Sequence, residues 1–155
     1  VPDLPPAVAP ACVAVWAQLL GLIGFEVFGQ FIGEGTATQR LADAVSSFVR
    51  WHARGRTTAR VVQYELDSLG PDARAEIVGL RRQVDAEVRG IIEDGVRSGE
   101  FDVPDVPGTT LAVLSLCIDV ARWFNVDGPR TPEEVGALYA DLVLRMVGAR
   151  RAGTS

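Results

Sequence analysis

The chain has 155 residues, of which 48% are hydrophobic, so it can bury the core of one folded domain and lacks the composition of a disordered chain. Its net charge of −5 excludes a protein that binds nucleic acid through an overall basic field. The two cysteines, Cys12 and Cys117, lie far apart among apolar residues, which favours neither a disulfide framework nor a zinc site and fits a reducing cytoplasm.

The first apolar segment, residues 11–33, contains one charged residue, Glu26, and is long enough to span a bilayer as a helix. Gln18 and Gln30 fall on the same helical stripe as Glu26, and a carboxylate inside a membrane costs several kcal/mol. We therefore expect a buried or interface-packed helix, with a membrane-spanning helix as the alternative. The chain begins at Val1 without Met or a basic leader, so we expect no secretory signal and a longer parent protein.

Beyond residue 35 the pattern predicts helices throughout, since alternating strand patterns with hairpin turns are absent. Thr36 and Gln39 match a capping box, which opens a helix that runs to Gly55. The apolar face of this helix contains Leu41, Val45, Phe48, Val49 and His52.

A short helix and a long helix follow. Thr57 or Thr58 can cap the short one, which stops at Gly70, and Pro71 suits the first position of the long one, which runs to about Ser98. Glycine costs about 1 kcal/mol relative to alanine inside a helix, so we expect a bend or a close helix crossing where the long helix contains glycine. These positions are Gly79, Gly90 and Gly95.

The last two helices carry more apolar surface than one small bundle can cover. Residues 101–107 contain two Val-Pro pairs, which disfavour helix, and residues 109–124 then form a helix that is apolar on nearly every side. Thr131 and Glu134 open the final helix, residues 132–149. A symmetric dimer through a four-helix bundle would cover both helices, and the alternative is a central core helix in a monomer. The expected dimer interface consists of Leu116, Val120, Leu138, Leu142, Arg145 and Met146.

Several strings within residues 36–149 resemble the C-terminal domain of the TetR/AcrR family of transcriptional regulators. They are YELDSL (64–69), PD (71–72), IVGLRR (77–82), GVRSGEF (95–101), VARWF (120–124) and DGP (127–129). The resemblance implies an all-α bundle of about six helices that dimerises and binds a small effector. It lies closest to the branch whose members often respond to lipid-derived or acyl-coenzyme A molecules.

The N-terminal segment departs from this family pattern. Residues 1–35 stand where the family has its DNA-reading helix-turn-helix, and nothing in this chain matches that reader, while residues 10–33 resemble a late helix of a different TetR C-terminal subclass. Either remnants of two regulators are joined, or a reading frame was rearranged or truncated. We therefore expect a remnant of a second TetR-type domain over 1–35, a ligand-binding and dimerisation domain over 36–149, and a frayed tail over 150–155.

A cavity for a small apolar effector is expected where the glycine-containing long helix crosses its aromatic and apolar neighbours. The alternative for each lining residue is ordinary core packing. The candidates are Phe48, Trp51, His52, Tyr64, Leu80, Val84, Cys117 and Trp123.

The sequence gives no support to an enzyme, a metal site or a cofactor. His52 is the single histidine, which excludes metal sites built on paired histidines, and no P-loop, GxGxxG or CxxC occurs. We expect a core histidine, with a polar contact to a ligand as the alternative. Arg50, Arg54, Arg56 and Arg60 could bind a phosphate-bearing ligand, or they could form a solvated turn paired with acidic residues.

The predicted function is therefore the effector-sensing and dimerisation part of a cytoplasmic TetR-family transcriptional regulator, such as a repressor. DNA would be bound by a helix-turn-helix of the intact regulator and not by this chain. The alternative from another class is a structural or interaction module that dimerises without a ligand, and a membrane-associated helical protein is the third.

Overall fold

A computed structural model describes residues 35–56, 59 and 70–149 of the chain, and the regular structure in this part is entirely helical, which confirms the predicted fold class. Its helices are α1 (Ala37–Arg54), α2 (Pro71–Ser98), α3 (Val106–Trp123) and α4 (Pro132–Met146). α1 is central and packs against each of the other three, and α2 also packs against α3. The predicted N-terminal helix and nearly all of the predicted short helix lie outside the described residues.

α1 begins at the predicted capping box. The Thr36 side chain accepts a hydrogen bond from the N–H of Gln39 (3.2 Å), and the Gln39 side chain accepts one from the N–H of Thr36 (3.0 Å). These bonds satisfy amides that have no partner inside the helix. The buried residues of α1 spread over more than one face, as its central position requires, and include Leu41, Ala44, Val45, Phe48, Val49 and His52.

α2 has the predicted limits, with Pro71 in its first turn and Gly99 after its last residue. Gly99 has φ of +77°, a left-handed conformation that glycine adopts without a steric penalty. At Gly95 the close contact is with the following connection and not with a crossing helix, because an added Cβ would lie 2.1 Å from the ring of Phe101. At the other two glycines of α2 no described atom lies within 4 Å of such a Cβ.

α3 begins at Val106, three residues earlier than predicted. The prediction gave too much weight to the Val106-Pro107 pair, because a proline in the first helical turn loses no helical hydrogen bond. Asp105 caps the helix by accepting a hydrogen bond from the N–H of Gly108 (3.0 Å). Thr110 is fully buried, and its hydroxyl donates to the Val106 carbonyl (2.8 Å).

α4 also begins at a predicted capping box. The N–H of Glu134 donates to the Thr131 hydroxyl (3.2 Å), and the N–H of Thr131 donates to the Glu134 carboxylate (2.8 Å). Gly136 allows a close crossing of α1, because an added Cβ would lie 2.9 Å from the Ser46 carbonyl oxygen. The helix ends at Met146, before the predicted residue 149, and its buried side completes the core that α1 organises.

Candidate functional site

α3 and α4 present apolar side chains to solvent on a surface that we call the outer face. It consists of Leu116 and Trp123 of α3 and of Leu138, Leu142 and Met146 of α4, each between 36% and 46% exposed. On α4 the three residues are four positions apart, which places them on one side of the helix. They form an apolar stripe on the outside of α4, and such a stripe on a small domain indicates a site of association.

An aromatic pair joins the two helices at this surface. The rings of Trp123 and Tyr139 are stacked, with centroids 6.3 Å apart and an angle of 28° between their planes. Partial burial raises the pKa of the Tyr139 hydroxyl, and a hydrogen bond with Trp123 offsets part of that rise. Trp123 was expected to line the effector cavity, whereas 44% of its surface is exposed on the outer face.

Two ion pairs accompany the outer face, each within a single helix. On α3 Arg122 contacts Asp119 (2.7 Å), and on α4 Arg145 pairs with Asp141. Exposed pairs of this kind contribute little to stability, about 0–1 kcal/mol. They leave charged groups beside the apolar residues, as at the polar rim of a protein interface.

The structure places one residue of the expected interface in the core. Val120 is fully buried, because it lies three residues after Cys117 and seven after Val113, on the core side of α3, and it has no surface to offer a partner. Because α3 is apolar on nearly all sides, its sequence pattern does not distinguish the side that faces the core from the side that faces solvent. The other five expected residues have exposed positions, namely Leu116, Leu138, Leu142, Arg145 and Met146.

Most of the expected cavity residues lie within the core. Phe48, Val84 and Cys117 are buried members of one hydrophobic cluster, and Trp51 and Leu80 pack against it while partly exposed. Tyr64 lies outside the described residues. That these side chains line a cavity stays a prediction, with ordinary core packing as its alternative.

His52 lies at the centre of an aromatic group on α1. Its ring is edge-on to Phe48 (centroids 4.4 Å apart) and to Trp51 (4.7 Å), and its Nδ1 is 2.9 Å from the Phe48 carbonyl oxygen. Burial lowers the pKa of the imidazole from 6.5 to about 4. The ring is therefore neutral at physiological pH, with Nδ1–H as the donor to that carbonyl.

The buried thiol of Cys117 is unreactive at neutral pH. Burial raises its pKa to about 12, so the reactive thiolate form is not populated at neutral pH. Among the described residues no group of three or more His, Cys, Asp or Glu side chains could hold a metal ion.

The described arginines near the end of α1 have protein partners. Arg54 pairs with Glu133 in the first turn of α4, and Arg56 donates to the Phe124 carbonyl at the end of α3 (3.0 Å). Arg50 donates to the Ser47 hydroxyl (3.0 Å). These contacts favour the alternative of a paired turn over a phosphate site, and Arg60 lies outside the described residues.

A cleft of about 360 Å³ lies between the start of α1 and the end of α2. The sequence analysis did not predict this cleft, because its walls come from residues about sixty positions apart in the chain. The cleft is lined by Gly35, Thr36, Ala37, Arg40, Asp94, Arg97, Ser98 and Glu100.

In the part of the chain that is described, no helix is long and apolar enough to cross a membrane. The segment for which a membrane-spanning alternative was considered, residues 11–33, lies outside that part.

Comparison with known proteins decides the family. Residues 34–147 match the model of the tetracyclin repressor-like C-terminal domain. The chain belongs to this family. The resemblance drawn from the sequence is thereby confirmed, and the described helices form the corresponding part of a TetR-family transcriptional regulator. No curated protein matches the chain in sequence.

Solved structures of TetR-family regulators share the fold. A bacterial regulatory protein of the tetR family from Rhodococcus RHA1 is 37% identical with a TM-score of 0.70, over 87% of this chain and 75% of that one. The regulator PfmR from Thermus thermophilus is 26% identical with a TM-score of 0.77, over 89% of this chain and 74% of that one. AibR in complex with isovaleryl coenzyme A and operator DNA is 17% identical with a TM-score of 0.73, over 92% of this chain and 76% of that one.

Proposed function

We propose that the chain is the effector-sensing and dimerisation domain of a TetR-family regulator, and that two copies pair through the outer face. The observation that carries the proposal is the exposure of its five apolar side chains, defined above, on two helices that touch through Trp123 and Tyr139. As a regulator of transcription it would act in the bacterial cytoplasm.

Symmetry makes a second copy a suitable partner for this face. In a two-fold dimer each residue meets the same surface of the other chain, so an apolar patch with mixed charges beside it is complementary to itself. Two helices from each copy would form a four-helix bundle and remove the leucine and methionine side chains from water. Burying one such side chain fully contributes about 1.5–3 kcal/mol, and these residues are already about half buried.

The effector is proposed to be a small, largely apolar molecule such as a short acyl thioester. Two observations support this choice. The candidate residues of α1, α2 and α3 form a core of aromatic and aliphatic side chains with one neutral imidazole, His52, as a polar group. One structure with the same fold, AibR, was obtained with isovaleryl coenzyme A.

The packing around His52 favours a second candidate, a dimerising module with no effector. Phe48 and Trp51 both contact the imidazole, and a side chain held on two sides by aromatic rings leaves little room for a ligand at that point. In that case the core serves only stability.

Thermal melting separates the two candidates. The chain is melted alone and with fatty acids, short acyl-coenzyme A thioesters and free coenzyme A as the control. A ligand at about a hundred times its dissociation constant adds roughly 2.7 kcal/mol, which raises the melting temperature by several degrees. A rise with an acyl thioester but not with free coenzyme A supports the sensor, and no rise with any member of the panel supports the ligand-free module.

A further inference from the structure

The connection between α2 and α3, residues 99–105, reaches each of the four described helices, and we call it the junction. The N–H of Phe101 donates to the Gly95 carbonyl of α2 (2.9 Å), and the N–H of Asp102 donates to the Val147 carbonyl at the end of α4 (2.9 Å). Its last residue caps α3. Such a segment can carry a displacement from one helix to another.

Glu100 gives the junction its contact with α1. One oxygen of its carboxylate accepts from the N–H (2.9 Å) and the hydroxyl (2.9 Å) of Thr38, and the other accepts from the N–H of Ala37 (3.2 Å). The Ser98 hydroxyl donates to the same carboxylate (3.0 Å). Four hydrogen bonds therefore converge on one side chain that lies 62 residues from Thr38 in the sequence.

The physical chemistry of the helix start favours this arrangement. The first amides of a helix have no partner within it, and the helix dipole places positive potential at that end. The hydrogen bonds, foremost the one from the Thr38 amide, lower the pKa of Glu100 to about 2, so the carboxylate stays charged over the physiological range. The contact therefore does not act as a pH switch in that range.

A second contact, between α1 and α2, lies beside the Glu100 contact. Arg40 of α1 contacts Asp94 of α2 (3.0 Å), and Asp94 also accepts from Arg97 (2.6 Å). The side chain of Arg40 is 13% exposed, so this ion pair is better shielded from solvent than a typical surface pair. The start of α1 is thus fixed to the junction through Glu100 and to the end of α2 through Asp94.

We propose that Glu100 is a positioning residue that makes the start of α1 follow displacements of the end of α4. The path runs from Val147 to the backbone of Asp102, along the junction to the Glu100 carboxylate, and from there to the amides of Ala37 and Thr38. Val147 directly follows Met146 of the outer face. A regulatory use of this path rests on the proposed function. The path would then link the association of two copies to the position of the start of α1.

Amide hydrogen exchange in the full 155-residue chain tests the first step. Amides in the first turn of a helix normally exchange fast, so slow exchange at Ala37 and Thr38 would report the Glu100 contact. Glu100→Ala should speed exchange at both by about tenfold or more. Thr38→Val, a milder change, should speed exchange at Ala37 and at its own amide. Asp105→Ala is the matched control, because it removes a cap from the same junction that serves only α3.

A double-mutant cycle tests the coupling itself. Gly148 has φ of +64°, and an added Cβ would lie 3.3 Å from the Cβ of Asp102, so Gly148→Ala disturbs the end of α4 where it meets the junction. In the chain with Glu100 this change should speed exchange at Ala37 and Thr38 by about threefold or more. In the Glu100→Ala background it should have no further effect there.

Two results would overturn the proposal. One is that Gly148→Ala leaves the exchange rates of Ala37 and Thr38 unchanged while Glu100 is present. The other is that Gly148→Ala changes these rates equally with and without Glu100. Neither depends on an effector or on a second copy of the chain. If the chain is a monomer and binds no acyl thioester, the proposed function is refuted and the coupling through Glu100 still stands. If exchange at Ala37 and Thr38 gives either of the two results above, the coupling is refuted and the proposed function still stands.

Discussion

Acidification below about pH 6.5 should destabilise the fold through His52. Burial lowers the pKa of this imidazole from 6.5 to about 4, so between these values the unfolded chain binds a proton that the folded chain does not. Stability is therefore fully present above pH 6.5 and falls as the pH decreases toward 4. One pKa unit corresponds to about 1.4 kcal/mol, and the loss between about pH 7.5 and about pH 5 is roughly 2 kcal/mol.

The assay is urea unfolding at fixed protein concentration across this pH range, with the free energy of unfolding obtained by linear extrapolation. His52→Phe is the matched control, since it keeps a ring of similar size against Phe48 and Trp51 but does not titrate. The wild type should lose roughly 2 kcal/mol over the range, and the variant should lose far less. Because His52 is the single histidine, its proton resonances also give the pKa directly. A measured pKa near 6.5, with equal losses in both proteins, would refute the reasoning.

The remaining predictions concern helix packing and capping. Gly95→Ala should destabilise the chain by about 1–3 kcal/mol in urea unfolding, because its Cβ would overlap the buried Phe101 ring. Gly79→Ala, on an exposed part of α2, should instead stabilise the chain by about 0.5–1 kcal/mol, and a loss at both positions would show that contact with Phe101 is not the cause. Thr131→Ala should cost about 1 kcal/mol and increase exchange of the Glu134 amide, and an unchanged amide would contradict the capping box.

The features that the sequence predicted correctly depend on neighbours within a few positions. Thr36 with Gln39 and Thr131 with Glu134 form their capping boxes inside one helical turn, and Gly99 ends α2 by its own conformation. Such local signals do not require knowledge of the tertiary structure. They were sufficient for the all-α class and for most of the helix limits.

The features that the sequence did not predict depend on which elements meet in three dimensions. Val120 and Trp123 both lie on a largely apolar helix, and only the packing of α3 against α1 and α2 assigns one to the core and the other to the outer face. Glu100 gave no signal, because its partners lie at the start of α1. The seven-residue spacing between Leu116 and Trp123 was the one sign in the sequence that these two residues share a face.

The pairing of two copies through the outer face is tested most directly by molar mass in solution, measured by light scattering. The wild-type chain, of 16.6 kDa, should have twice its monomer mass, and Leu142→Glu should have the mass of a monomer with its helical content retained. Val96→Glu is the matched control, because it introduces the same charge at an apolar residue of similar exposure on α2, and it should remain a dimer. A wild-type monomer, or a Leu142→Glu variant that remains a dimer, would contradict pairing through this face.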